Sequence, residues 1–490
     1  MGRGMRWTRR GLALAALTVT MPAAPAVAQT PTPTLEDPDL AVRPAATGLN
    51  QPVSMAFIDK DEFLVLEKAT GQVKWFRDGM LKATVLDLAV NSASERGLLG
   101  IALHPKFRKN GWVYLFWSQS KSGADTTTLD DVRLMGNRID RFEWERGGLE
   151  FDRNIIKFRA FQADAGQPLR ANHDGGVLRF GPDSKLYAIV GDTGRRGQTQ
   201  NLVNGPFTPP AGDDQFGGPE PDDLHRTGVI VRLDDDGDAP RDNPFWRAGR
   251  QMGGEVGENV QKLFAYGIRN SFGLAFDRRS GNLWEQENGD DSFSEINRVR
   301  PGMNGGWVQI MGPVSRIGQY KAIETDPTAP QPLTPAGYFG LQQIRWLPTN
   351  IADSPAEALA RLFTLPGSHY SDPEFSWKFE VAPGGIGFLD SRDLGRRYKG
   401  DLFVGGARDF LEGGHLFRLD LTRDRRDIQT RDPRLADSVA DNLHKWEITE
   451  SESLLFGRNF GVGTDIQTGP DGELYVVSLS HGNVYEIHRR

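Results

Sequence analysis

One histidine stands where it could do proton chemistry. It lies in Asn172-His173-Asp174-Gly175-Gly176, followed by an apolar strand Val177 to Phe180, a Gly-Pro-Asp turn, and a second strand Lys185 to Val190 that ends on Gly191-Asp192. An imidazole on a loop held by two strands is rigidly placed yet reachable, as a general base must be. The same geometry also suits a histidine that merely satisfies turn carbonyls, so the segment alone leaves both readings open.

Four other stretches carry groups that are costly to bury unpaired. Ser94-Glu95-Arg96-Gly97 is either a surface ion pair or a polar wall of a site. Ala265-Tyr266-Gly267-Ile268-Arg269-Asn270 delivers Arg269 with its fixed fork of donors, able to polarise a carbonyl or brace a loop. Glu285-Gln286-Glu287-Asn288-Gly289-Asp290-Asp291, with Glu295 and Asn297 close behind, offers oxygen ligands for a hard cation such as calcium, or else a solvated acidic loop. Asp234-Asp235-Asp236-Gly237-Asp238 reads as a hairpin turn in which Asp and Gly serve the backbone.

These residues must be positioned by a repeated unit. A short strand, a turn rich in Gly, Pro, Asp or Asn, an aromatic-apolar strand and a third strand recur in six copies. Their landmarks are Phe63 to Phe76, Gly100 to Trp117, the His173 hairpin, Gly273 to Trp284, Gly400 to Leu419 and Gly469 to Ile487. Such a unit buries its faces only against copies of itself, so the expected fold is an all-β, six-bladed β-propeller with long loop insertions on one face. The insertions are Gly205 to Leu224 and Met311 to Asp372; the latter holds one helix signal, Ser354 as N-cap before Pro355 to Leu362, with Glu357 completing a capping box.

Residues 1–28 read as a cleaved signal peptide: Arg3, Arg6, Arg9 and Arg10 precede an apolar run, and Ala26-Val27-Ala28 supplies a cleavage site. Residues 29–47 read as a Pro-rich linker and 48–490 as the propeller. The chain is therefore expected in the periplasm or secreted, without membrane insertion. The absence of cysteine leaves stability to a large core. Removing the four leader arginines takes the formal charge from -7 to about -11, which argues against nucleic acid as a partner.

Several motifs in one order resemble the soluble pyrroloquinoline-quinone (PQQ)-dependent sugar dehydrogenases, the glucose/sorbosone and aldose sugar dehydrogenase family. The carrying residues are Glu95 to Phe107, Asn172 to Asp192, Arg232-Leu233 with Asp242 to Phe245, Gly267 to Asn270, Glu295-Ile296-Asn297 and Gly469 to Gly472. The resemblance implies a propeller in which His173 takes the proton of a sugar's anomeric hydroxyl as hydride passes to PQQ, the electrons leaving to an external acceptor. It implies that Arg269 polarises the quinone, that Asn270 and Glu95 line its site, and that the carbonyls of Gly289 and Asp290 face Ca2+. It puts Asp192 in a bracing role and Glu295 in a supporting shell or second calcium site.

The chain also departs from the family. Val462 and Thr464 stand where two arginines would hold the quinone's carboxylates, Phe272 replaces a glutamine, and Asp290 replaces a proline. The fifth blade's cofactor lysine has no clear counterpart, and Arg408, with Arg195 or Arg196, is expected to make up the missing charge. Two other functions share the scaffold: a calcium-dependent lactonase using His173 as base, and an exported propeller that binds sugar or protein without catalysis.

Overall fold

Six sheets follow one another along the chain in a computed structural model, which describes residues 30–160, 171–194, 226–326, 348–408 and 410–490. The expected signal peptide, Arg195 and Arg196, and the Gly205 to Leu224 insertion lie outside the described residues. The first sheet holds Pro52–Asp59, Glu62–Glu67, Gln72–Arg77 and Met80–Asp87; the second holds Leu98–Leu103, Trp112–Ser120, Val132–Glu145 and Gly148–Phe158. The third begins Leu178–Phe180, Leu186–Val190, Val229–Leu233, Leu263–Tyr266, and the fourth Gly273–Phe276, Leu283–Glu287, Ser292–Val299, Phe375–Phe379. The fifth is led by Pro383–Phe388, Leu402–Gly406 and His415–Leu421, and the sixth by Gly463–Thr468, Leu474–Ser478 and Asn483–Arg489.

The leading strands of the sheets lie side by side around a central axis, the last returning to the first. Alternating apolar residues on each sheet then meet those of the next. Tyr114, Phe116, Leu186 and Val231 share one buried cluster, Trp284, Ile386, Val404 and Phe417 another, and Met55, Val65, Val477 and Val484 join the last sheet to the first. The architecture is an all-β propeller.

The linker expectation fails at residues 34–46. Thr34–Leu35 pairs with Leu455–Arg458, and Leu40–Ala46 is the outer strand of the sixth sheet, antiparallel to Asn483–Arg489. Pro44 is tolerated within this strand because an edge strand leaves one row of N–H groups unused. Chain start and chain end thus fasten one sheet.

The Met311 to Asp372 insertion supplies the helices Ile317–Glu324 and Pro355–Ala360. The latter is the capped helix the sequence announces, with the Ser354 side chain accepting from Glu357 N. Asp234 to Asp238 forms the expected turn: Gly237 N donates to Asp234 O at 3.0 Å and Asp234 N to Asp238 O at 2.9 Å.

Candidate active site at one end of the channel

His173 sits in the left-handed region, φ 59°, ahead of two glycines that also take positive φ. This tight path carries the chain from the loop into Leu178–Phe180. Gly191 lets the far end of the hairpin come close, since a Cβ there would meet Arg269 O at 2.5 Å and His173 O at 2.6 Å. The result is a direct pair: His173 Nδ1 donates to Asp192 Oδ1 at 2.5 Å. Asp192 is buried and also accepts from Gly194 N at 2.8 Å and from Trp307 Nε1 at 2.9 Å. Asp192, expected to brace the loop, therefore holds the imidazole itself and fixes its tautomer.

Glu95 ties the neighbouring loops together. Its Oε2 accepts from His173 N at 2.6 Å and from Asn270 Nδ2 at 3.3 Å, and its Oε1 from Asn172 Nδ2 at 3.4 Å. The surface-pair alternative for Glu95 and Arg96 does not hold. Arg96 is fully buried, donates to Leu129 O at 2.8 Å and to Ala160 O, and lies near Asp174. Burial pushes the Asp174 carboxyl up to about 6, with Arg96 and the Asn137 hydrogen bond pulling the other way.

Arg269 is buried over the Trp307 ring, 5.5 Å from its centroid. Its backbone N donates to Glu287, and its guanidinium donates to Asn288 O at 2.8 Å and pairs with the Asp290 carboxylate. Asp192 N donates to Arg269 O at 2.8 Å, so the histidine pair and the arginine share one backbone link.

A cavity of about 310 Å3 opens beside these residues; Lys68, Glu95, Gly175, Arg179, Phe272, Val462 and Thr464 are among its lining. Lys68 is the residue that sequence reasoning missed here. It is buried, its Nζ donates to Ser92 O at 3.3 Å, and burial pulls its ammonium below the ordinary lysine range, with Asp174 and Glu95 opposing. It arrives from the first sheet's turn, and no motif marks it. Below the cavity Arg179 pairs with Asp465 at 2.7 Å, and Asp465 also accepts from Ser54 Oγ, Met55 N and Gln467 Nε2. Arg179 also lines a second cavity, of about 740 Å3.

Arg408 is not brought to the cavity. Its guanidinium stacks on Phe410, 4.6 Å from the ring centroid, and among the described residues the cations in the wall are Lys68 and Arg179 instead. Glu295 is buried, with Oε1 accepting from Gly312 N at 2.5 Å and Oε2 from Asn297 Nδ2 at 2.9 Å; both oxygens face N–H donors. Asp290 O, expected to face calcium, accepts from Lys445 Nζ at 3.0 Å. Among the described residues no group of three or more His, Asp or Glu is arranged to hold a metal.

The sequence pattern of the Glucose / Sorbosone dehydrogenase family matches residues 49–339. This chain belongs to that family. It is 23% identical over 445 residues to the aldose sugar dehydrogenase YliI of Escherichia coli, covering 90% of this chain and 91% of that protein. It is 26% identical over 271 residues to quinoprotein glucose dehydrogenase B of Acinetobacter calcoaceticus, covering 54% of this chain and 52% of that protein. Among solved structures, the PQQ-bound aldose sugar dehydrogenase of Streptomyces coelicolor superposes with a TM-score of 0.53 at 20% identity, covering 94% of this chain and all of that one, and so shares the fold. The family is one of sugar-oxidising enzymes. No helix among the described residues is long and apolar enough to cross a membrane.

Unpartnered atoms in the site test the cofactor. Asn270 Oδ1 and Arg269 Nε are buried without a hydrogen-bond partner. With the buried Lys68 ammonium, they suit an anionic ligand bearing carbonyls and a ring N–H, as the quinone does. The calcium ion fits less well, because an ammonium already engages Asp290 O, one of its two expected carbonyls.

Proposed function

We propose that this chain oxidises an aldose sugar or a related alcohol, using PQQ held in the cavity of the propeller. The observation that carries the reading is the His173–Asp192 pair, joined to Asn270 through Glu95, which lines the cavity. Bound there, the quinone supplies the hydride acceptor.

The protein's own groups do the rest. Asp192 keeps the proton on His173 Nδ1, which leaves Nε2 to take the proton of the sugar's anomeric hydroxyl, and its charge stabilises the imidazolium that forms. Arg269 is pinned by Asn288 O and Asp290, so its charge is preorganised and needs no rearrangement during the reaction. Asn270 and Lys68 would hold the ligand, the lysine supplying charge that Val462 and Thr464 do not. An external acceptor removes the electrons, and the chain works outside the cytoplasm once residues 1–28 are removed.

The test is reduction of an artificial electron acceptor by protein supplemented with quinone, over a panel of aldoses. Activity that saturates with quinone and is lost in His173→Ala supports the reading. Acceptor reduction that His173→Ala leaves intact overturns it.

A further inference from the structure

Besides Gly289 O, four groups at this turn bear oxygens that a hard cation would gather: Asn288 O, Asp290 O, the Asp290 carboxylate and the Asp291 carboxylate. Calcium requires six to eight such oxygens at about 2.3–2.6 Å. Each of the four is engaged by a fixed side-chain cation. Arg269 takes Asn288 O and the Asp290 carboxylate, while Lys445 Nζ donates to Asp290 O at 3.0 Å and to Asp291 Oδ1 at 2.9 Å.

Lys445 is built into this place. It is 3% exposed, and its loop is clamped to the fourth sheet: Asn442 accepts from Phe379 N at 2.8 Å and donates to Phe379 O at 3.1 Å, and Trp446 N donates to Glu380 O at 2.7 Å. The turn it meets is equally constrained. A Cβ on Gly289 would lie 1.9 Å from Ser292 O, and Glu324 accepts from Asp291 N and Ser292 N at 2.9 Å each. A dication placed on Asp290 O would stand next to a buried ammonium, a like-charge contact with little water to screen it.

We propose that the Lys445 ammonium is the resident cation of the Asp290 turn, and that this chain needs no calcium there. The ammonium pins the turn and sets a single positive charge beside Arg269 where a dication was expected. The Asp291 carboxylate balances it.

The experiment uses calcium alone, with no quinone or sugar, so its outcome is separate from that of the proposed activity. Wild-type and Lys445→Ala proteins are dialysed against chelator, then followed by thermal melting and calorimetric calcium titration. The expected result is a wild-type melting temperature indifferent to chelator and calcium, together with a variant that is destabilised and binds one more calcium ion than wild type, with partial recovery of its melting temperature. Lys445→Met carries the same test if the alanine variant does not fold. Wild-type protein that loses stability to chelator and regains it with calcium overturns the proposal. So does a folded variant that takes up no more calcium than wild type.

Discussion

Replacing Asp192 by Asn isolates what the carboxylate does for His173. Asp192 accepts three N–H groups, from His173 Nδ1 at 2.5 Å, Gly194 N at 2.8 Å and Trp307 Nε1 at 2.9 Å. An amide has a single carbonyl oxygen to offer them. If that oxygen keeps His173 and Gly194, the amide NH2 faces the Trp307 N–H, donor against donor. If it turns to Trp307, the NH2 faces His173 Nδ1, and the imidazole must move its proton to Nε2, the atom that has to act as base. Either way a buried donor loses its partner, which costs about 1–3 kcal/mol of stability. The imidazolium also loses its counter-charge.

The expected fall in kcat is roughly 10²–10⁴-fold, the usual contribution of a positioned base. Quinone affinity should change little, because Asn270, Arg269 and Lys68 are untouched. The assay is steady-state acceptor reduction at saturating quinone and sugar, with a separate quinone-binding titration. A variant within about tenfold of wild-type kcat would refute the reasoning.

Three further outcomes follow from the same geometry. Lys68→Met should weaken quinone binding by about tenfold or more while Arg408→Ala leaves it unchanged, measured by fluorescence titration; the reverse ranking would restore Arg408 to the site. Asp465→Ala strands the Arg179 guanidinium beside three other donors, and should cost about 3–5 kcal/mol in denaturant unfolding; a loss below about 1 kcal/mol would mean the channel pair is not a structural brace. Burial raises the carboxyls of Asp174 to about 6, Glu285 to about 8 and Glu380 to about 7. These three groups bind more protons in the folded chain than in the unfolded one between about pH 4 and pH 8, so the stability they contribute falls as pH rises through that window. Thermal melts should move down from about pH 5 to pH 9, and a rise would contradict the burial argument.

The His173 hairpin was legible in the sequence because its signals are local. Strands expected at Val177 to Phe180 and Lys185 to Val190 are found at Leu178–Phe180 and Leu186–Val190, set by alternating apolar residues and a Gly-Pro-Asp turn. Glu95, Arg269 and Asn270 were legible as motifs, and the structure gathers them. The role of Asp192 was only half visible, since two ends of one hairpin meet at Gly191 through a close approach that spacing does not encode.

Lys68 and Lys445 were not visible at all. Each is a lone lysine in an unremarkable loop, and each reaches the site only when distant sheets close on one another. Arg408 was misjudged for the converse reason: its position beside a cofactor loop says nothing about the direction of its side chain, which turns to Phe410. The strand Leu40–Ala46 was hidden because proline content argues for a linker, while its pairing partner lies more than four hundred residues away.

The most direct test of the proposed chemistry is an anaerobic single-turnover experiment. Wild-type and His173→Ala proteins are loaded with PQQ, mixed with an aldose, and the absorbance of the bound quinone is followed without any external acceptor. Sugar should reduce the quinone in one rapid phase with wild type, and that phase should be slowed by roughly 10²–10⁴-fold in the variant while quinone loading is the same. Quinone that binds but is not reduced by any aldose, or is reduced equally fast in both proteins, would contradict it.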